Sequence, residues 1–236
     1  MNILAFDTTT EVLSIAVRRG EGADAPVWHH VAAGGAQSSA TLIPAIEALM
    51  QQAGLGYPDL AAIAFGRGPG SFTGLRTACA VAQGLAFGAG VPVLPVDSLL
   101  AVAEEARWRQ PQVPETGEVL ALLDARMNEL YAARYAWGPL GWSCSMTPCL
   151  MRPEDLPAGP HTLLAGNVFA PYAERLGGGN LPRVECLPGA LAMLRLAPAL
   201  LAAGGALPPE QALPLYVRDK VAQTTQERLA AQELRP

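Results

Sequence analysis

The sequence predicts an α/β fold of mixed sheets flanked by helices. Three observations carry this. An apolar run and an alternating run at the start of the chain are separated by a tight polar turn. Helix-like and strand-like segments alternate after it, and a second series of strands restarts beyond a proline- and glycine-rich break near Gln110.

Residues 2–7 read as a buried strand, 8–11 as a turn, and 12–18 as a second strand in which Leu13, Ile15 and Val17 alternate with Ser14 and Ala16. Residues 27–31 supply a third strand. Ser38 or Ser39 is placed to cap a helix over 38–52 with Leu42, Ile46 and Leu49 on one face, and Pro44 falls in its first turns, where proline costs least. Residues 60–65 form an apolar run ending at Gly66, and a glycine-rich loop follows. Residues 72–88 have the length and alanine content of a helix, 91–96 return as a strand, and 98–108 continue as a helix. Pro111, Pro114 and Gly117 then mark a linker. Beyond it, 119–124, 130–135, 142–146 and 161–165 read as strands, 191–201 as a helix in spite of Pro198, and 224–234 as a polar terminal helix. Both halves follow a hairpin-then-α/β plan, although no sequence repeat joins them.

Composition narrows the function. At 236 residues, 50% hydrophobic and 16% charged, the chain can bury a substantial core and is not disordered. Its net charge of -5, without a dense Lys/Arg cluster, argues against an autonomous nucleic-acid binder. The single lysine, Lys220, lies far from any glycine-rich loop, which removes Walker-type nucleotide binding and Schiff-base chemistry. Cys79, Cys144, Cys149 and Cys186 form no CxxC pair, and the first residues carry no basic leader, so a reducing, cytoplasmic setting is expected. The apolar windows at 77–96 and 187–207 are interrupted by polar residues and prolines, and no membrane span is expected.

Four places hold residues that could carry chemistry. Asp7, Thr8, Thr9 and Thr10 form an acidic strand end followed by hydroxyls. Such a turn either presents donors to a phosphate beside a hydrated Mg²⁺ or closes its own hairpin by side-chain bonds, the commoner use of these residues. Gly66-Arg67-Gly68-Pro69-Gly70-Ser71-Phe72-Thr73-Gly74 leads a strand into a helix. Gly68, Gly70 and Ser71 could cradle an anion at the helix N-terminus, or the glycines could permit a sharp turn with Ser71 as cap. The helix itself carries Gly74, Ala78, Ala82 and Ala86 at intervals of four. This small-residue stripe suits close packing either within the chain or across an oligomer interface, with Phe72 and Phe87 as anchors. Finally, Asp124, Arg126 and Met127 with Glu129 and Tyr131 sit between two strands, where they could touch a ligand or satisfy turn backbone. His29, His30 and His161 offer no metal-ligand spacing, since the first two point to opposite faces of a strand, and HExxH and GxSxG are absent.

The run from Ile3 to Ala16, joined to Gly66-Arg67-Gly68-Pro69-Gly70-Ser71-Phe72-Thr73-Gly74-Leu75-Arg76, resembles the TsaB (YeaZ) family. That family is a member of the glycoprotease-like branch of the actin, sugar-kinase and heat-shock ATPase superfamily. The likeness continues through Ala82-Gln83-Gly84-Leu85-Ala86, Asp124-Ala125-Arg126-Met127 and Pro214-Leu215-Tyr216-Val217-Arg218. It implies two ribonuclease-H-like lobes: a first lobe over 1–109 with the glycine-rich loop and contact helices, a smaller second lobe over 110–213, and a segment 214–236 returning to the first.

The resemblance also implies a non-catalytic dimerisation and activating subunit. Its partners would be a TsaD-like catalytic subunit, which transfers threonylcarbamoyl to a tRNA adenosine next to the anticodon, a TsaE-like ATPase, and a second copy of itself. Transfer RNA would be met only through the complex. The contact surface maps onto the helices over 38–52 and 72–88, with Leu42, Ala45, Ile46, Leu49, Phe72, Leu75, Ala78, Cys79, Ala82 and Ala86 as interface residues. A bulky charge at Ala82 is then expected to weaken partner binding without unfolding the helix. No catalytic residue, metal or cofactor of its own is expected. ADP or ATP would be bound weakly, at Asp7, Thr8, Thr9, Gly68, Gly70 and Ser71, or at the partner interface. Gln37 stands where relatives often carry histidine, and 164–168 has one glycine where nucleotide-binding relatives carry a richer loop. The alternative is a small-molecule phosphotransferase of the same superfamily, with Asp7 orienting Mg²⁺.

Overall fold

The computed structural model of the chain describes residues 1–22, 24–112, 114–157, 163–176 and 181–218. The expected helix over 224–234 lies outside the described residues.

Two five-stranded sheets organise the chain. In the first, β1 (Ile3–Asp7), β2 (Val12–Arg18) and β3 (Val27–Ala33) run antiparallel, while β4 (Ala62–Gly68) and β5 (Val93–Asp97) add in parallel, giving the order β3-β2-β1-β4-β5. In the second, β6 (Gly117–Asp124), β7 (Leu130–Gly138) and β8 (Gly141–Met151) are antiparallel, and β9 (Leu163–Gly166) and β10 (Arg183–Glu185) add in parallel beside β6. Each sheet thus places its third strand at one edge and its fifth at the other. The duplicated plan that leaves no repeat in the sequence is plain in the topology.

The strands of the first sheet divide their side chains by size. Leu4, Phe6, Leu13, Ile15, Val17, Ile63 and Phe65 point to one face, and Ala5, Ala16, Ala62 and Ala64 to the other. Helices α1 (Ser38–Ala53) and α2 (Phe72–Ala89) cover the large-residue face. Helix α4 (Ala190–Ala202) lies on the alanine face, where small side chains allow a close approach. Helix α3 (Ser98–Trp108) packs Leu99, Val102, Ala103 and Ala106 mainly against the second sheet.

The lobe boundaries expected from the sequence therefore need correction. Helix α4 falls within 110–213 yet covers the first sheet, and α3 falls within 1–109 yet supports the second. The chain returns to the first lobe at Ala190, not at 214. Leu207 bridges β5 through Val93, the Cys79 thiol donates to Ala212 O at 2.8 Å, and Leu215 N donates to Arg67 O at 2.7 Å. A buried carboxylate joins the exchanged helices. Glu104 of α3, 2% exposed, accepts from Arg107 Nε at 3.0 Å, from Arg195 Nε of α4 at 2.9 Å and from Trp142 Nε1 of β8 at 3.0 Å.

Local details also depart from expectation. Neither Ser38 nor Ser39 caps α1. A 3₁₀ turn at Gly35–Gln37 runs directly into the helix, Gln37 holds the cap position with helical angles, and the Ser38 N–H is taken by Gly35 O. Strand β8 continues past Pro148 to Met151. It is an edge strand, and two residues, Thr147 and Pro148, bulge between the pairs Arg134–Met146 and Ala132–Cys149.

Candidate functional site

The glycine-rich loop and the threonine turn form one closed knot. Asp7, Thr8 and Thr9 are at most 1% exposed. The Asp7 Oδ1 atom accepts from Thr9 N and Thr9 Oγ1, both at 2.8 Å, and its Oδ2 from Ser98 Oγ at 3.4 Å. Thr8 Oγ1 donates to Gly74 O at 2.7 Å in the first turn of α2, and Ser71 N donates to Thr9 O at 2.8 Å. Ser71 caps the helix by accepting from Gly74 N at 3.3 Å. A Cβ at Gly66 would overlap the Asp7 carboxylate, one at Gly70 the Thr9 carbonyl, and one at Gly74 the Thr8 carbonyl. The glycines are required because this chain's own turn passes against them too closely for a Cβ. Burial pushes the Asp7 carboxyl up to about 6, against the lowering bonds from Thr9 and Ser98.

Of the six residues expected to hold a nucleotide or anion, only Thr9, Gly70 and Ser71 border open space; Asp7, Thr8 and Gly68 do not. That space is an interlobe cleft of about 330 Å³, closed on the far side by Asp124, Arg126, Met127, Tyr131 and Asn167. Here the turn reading of Asp124 and Arg126 holds. Asp124 Oδ1 accepts from Arg126 N at 2.8 Å and from Tyr172 OH at 2.9 Å, while Oδ2 pairs with the Arg126 guanidinium at 3.0 Å. Arg126, Met127 and Asn128 all have left-handed φ, at 62°, 54° and 60°, a conformation that costs each non-glycine residue about 1 kcal/mol or more. Arg218 ties this turn to the returning chain through Ala125 O at 3.0 Å and the Glu129 carboxylate at 2.7 Å.

The small-residue stripe faces inward. Ala78, Ala82 and Ala86 are 0% exposed, Leu42 and Ile46 likewise, Leu49 and Cys79 are buried among the large residues of β1 and β4, and Leu75 is 2% exposed beside Gly68. A charge at Ala82 would therefore enter this chain's own core, contrary to the expectation that the helix tolerates it. Only Ala45 and Phe72 of the ten expected interface residues are part-exposed. Periodicity located the flat face of α2 correctly, but the neighbour that uses it is the first sheet. The outward line of α2 is a second small stripe, Thr73, Thr77, Ala80, Gly84 and Phe87 at intervals of three and four, with Phe87 77% exposed. A Cβ at Gly84 or Gly88 would meet nothing within 4 Å. On α1 the outward residues include Ile43, Pro44, Glu47 and Ala48. The signal for this surface was present, displaced by one or two positions from the stripe singled out above.

Among the described residues no group of three or more His, Cys, Asp or Glu is placed to hold a metal ion, the four cysteines are free, and no helix is long and apolar enough to cross a membrane.

Two sheets of one strand order, facing across a cleft and bound by exchanged helices, define a two-lobed α/β protein of the actin and sugar-kinase type. A family model described as TsaD, tRNA N6-adenosine threonylcarbamoyltransferase, matches residues 30–167. The chain is 35% identical to the tRNA threonylcarbamoyladenosine biosynthesis protein TsaB of Escherichia coli, covering 94% of this chain and 96% of that protein. It is 32% identical to its counterpart in Haemophilus influenzae, over 94% and 95%. The structure of YeaZ from Pseudomonas aeruginosa superposes with a TM-score of 0.81 at 34% identity, over 91% of this chain and 99% of that one. The chain belongs to the TsaB (YeaZ) family.

Proposed function

We propose that the chain acts in tRNA threonylcarbamoyladenosine biosynthesis as a non-catalytic, activating subunit. It pairs with a TsaD-like catalytic subunit through the outer faces of α1 and α2, works with a TsaE-like ATPase in the cytoplasm, and meets tRNA through the complex. One observation carries this reading. The threonine turn packs directly against the glycine-rich loop, whereas the outward line of α2, Thr73, Thr77, Ala80, Gly84 and a 77% exposed Phe87, is made of small uncharged residues ending in an exposed aromatic ring. In this reading ADP or ATP is held where the partner completes a site, and self-association on the same helices competes with the partner.

Phe87→Glu, alone and with Ala80→Glu, tests the surface. Both positions are exposed, so the fold is expected to persist. Calorimetric titration with the TsaD-like subunit should show a loss of affinity of about 2 kcal/mol or more, the size typical of a buried aromatic anchor. Unchanged affinity in a folded variant overturns the assignment. For the phosphotransferase alternative, millimolar Mg·ATP would have to raise the melting temperature of the isolated chain; no shift is expected.

A further inference from the structure

A cavity of about 760 Å³, more than twice the volume of the interlobe cleft, opens where the exchanged helices meet the β7–β8 hairpin. Three of the chain's four tryptophans, Trp108, Trp137 and Trp142, line it together with Leu140, Leu196 and Leu200. Trp108 and Leu140 are exposed, so apolar surface open to solvent gathers here. Helix α4 lies between this cavity and the first sheet, whose other face carries α1 and α2. An occupant would leave the outer faces of those two helices free.

The aromatic walls are fixed in advance. Trp137 Nε1 donates to Pro114 O at 2.9 Å, Trp142 Nε1 donates to Glu104 Oε2 at 3.0 Å, and the two rings lie 5.6 Å apart between centroids. The Arg195 guanidinium sits 4.8 Å from the centre of the Trp108 ring. Both lining arginines are held on one edge and open on the other. Arg107 donates Nε and Nη2 to Glu104 at 3.0 and 3.2 Å, and Arg195 donates Nε to Glu104 at 2.9 Å and Nη2 to Glu105 at 2.6 Å. The Nη1 group of each has no acceptor among the described residues. With Arg109, three arginines share Glu104 and Glu105, which leaves a positive charge over. Glu115, the other lining carboxylate, is exposed, where water weakens its influence.

We infer that this cavity binds a small, flat aromatic acid, its ring against the tryptophans and its acid group on the Nη1 groups of Arg107 and Arg195. Aromatic rings gain from offset or edge-on contact beyond the area they bury. An acid oxygen on a guanidinium makes a charge-assisted hydrogen bond. A neutral ring leaves both Nη1 groups without an acceptor, and an unbranched fatty acid satisfies them but forgoes the ring contacts. The volume lies within the roughly 300–1,000 Å³ of pockets that hold small ligands. The occupant would touch α3, α4 and the β7–β8 hairpin at once, and so would fasten the two lobes together.

Anilinonaphthalene sulfonate tests this as the charged probe, with phenylnaphthylamine as the same ring system without the acid. Fluorescence titration of the full chain should show a saturable site, tryptophan emission falling as dye emission rises. Phenylnaphthylamine should bind about tenfold more weakly. Arg107→Gln, which keeps a donor for Glu104, should weaken the sulfonate about tenfold and change phenylnaphthylamine less than about twofold. Trp108→Ala should weaken both about threefold or more. Naphthoate should displace the dye, and octanoate should not. If Arg107→Gln fails to fold, the two dyes on the wild-type chain still decide whether the acid is recognised. Absence of a saturable site, equal affinity for the charged and neutral dyes, binding indifferent to both substitutions, or displacement by octanoate as well as by naphthoate overturns the inference.

Discussion

Asp7→Asn should make the protein more stable at neutral pH. In the native chain the Asp7 carboxyl is fully buried and raised by burial from 3.8 to about 6. An unfolded chain loses this proton near pH 4, so between roughly pH 4 and 6 the native state holds a proton that the unfolded state has released. Stability from this group is complete below pH 4, falls as pH rises through that window, and stays low above it. Two pKa units correspond to about 3 kcal/mol. Asparagine is uncharged, can accept from Thr9 N and Thr9 Oγ1 through its oxygen, and can donate to Ser98 Oγ through its amide. Urea unfolding of both proteins from pH 4 to 8 reads the difference directly. Asp7→Asn minus wild type should be near zero at pH 4 and reach about 1–3 kcal/mol in favour of the variant above pH 6, the lower figure allowing for imperfect amide geometry. A variant less stable than wild type at pH 7 would refute the reasoning. It would mean that Asp7 is held as a carboxylate, as a Mg²⁺-orienting residue must be.

Removing Glu104 leaves Trp142 Nε1 without its acceptor and Arg195 with Glu105 as its remaining carboxylate, so Glu104→Ala should cost about 1–3 kcal/mol in chemical denaturation. Gly74→Ala places a methyl against the Thr8 carbonyl, and it should lower the melting temperature by several degrees although alanine favours helices; a rise would show that the turn and α2 are not in contact. Ala82→Glu should yield little folded protein, since the carboxylate would enter the core beside β1 and β4; a folded variant with wild-type stability would contradict the placement of that face.

Local structure was legible where periodicity and capping agree. Helix α3 has the limits read from the sequence, and α2 extends one residue further, because Ser71 and Gly90 mark its ends chemically. What periodicity does not encode is the neighbour. The stripe of Ala78, Ala82 and Ala86 announces a close contact without saying that β1 and β4 provide it, and the apolar face of α4 does not announce which sheet it covers. Strand β10 escaped because Arg183-Val184-Glu185 is too short to alternate. The turn at Arg126, Met127 and Asn128 was recognised as a turn, but three left-handed residues without a glycine carry no sequence signal, and only Asn128 is of a type enriched there. At the candidate site, residue types left an anion cradle and a self-closed turn both open. Burial and hydrogen bonds show the turn and the loop packed together, which sequence does not foretell because whether a glycine leaves room or is filled depends on what lies opposite.

The crossing of α3 and α4 between the lobes bears on how the molecule could be divided. A cut within 110–116 separates the chain into two fragments, yet each holds one sheet and the helix that the other sheet lacks. Neither fragment alone closes its own core. The pieces have to find each other to fold, so a nicked molecule should melt as a single unit, and expressing either lobe by itself should give an aggregate in place of a domain.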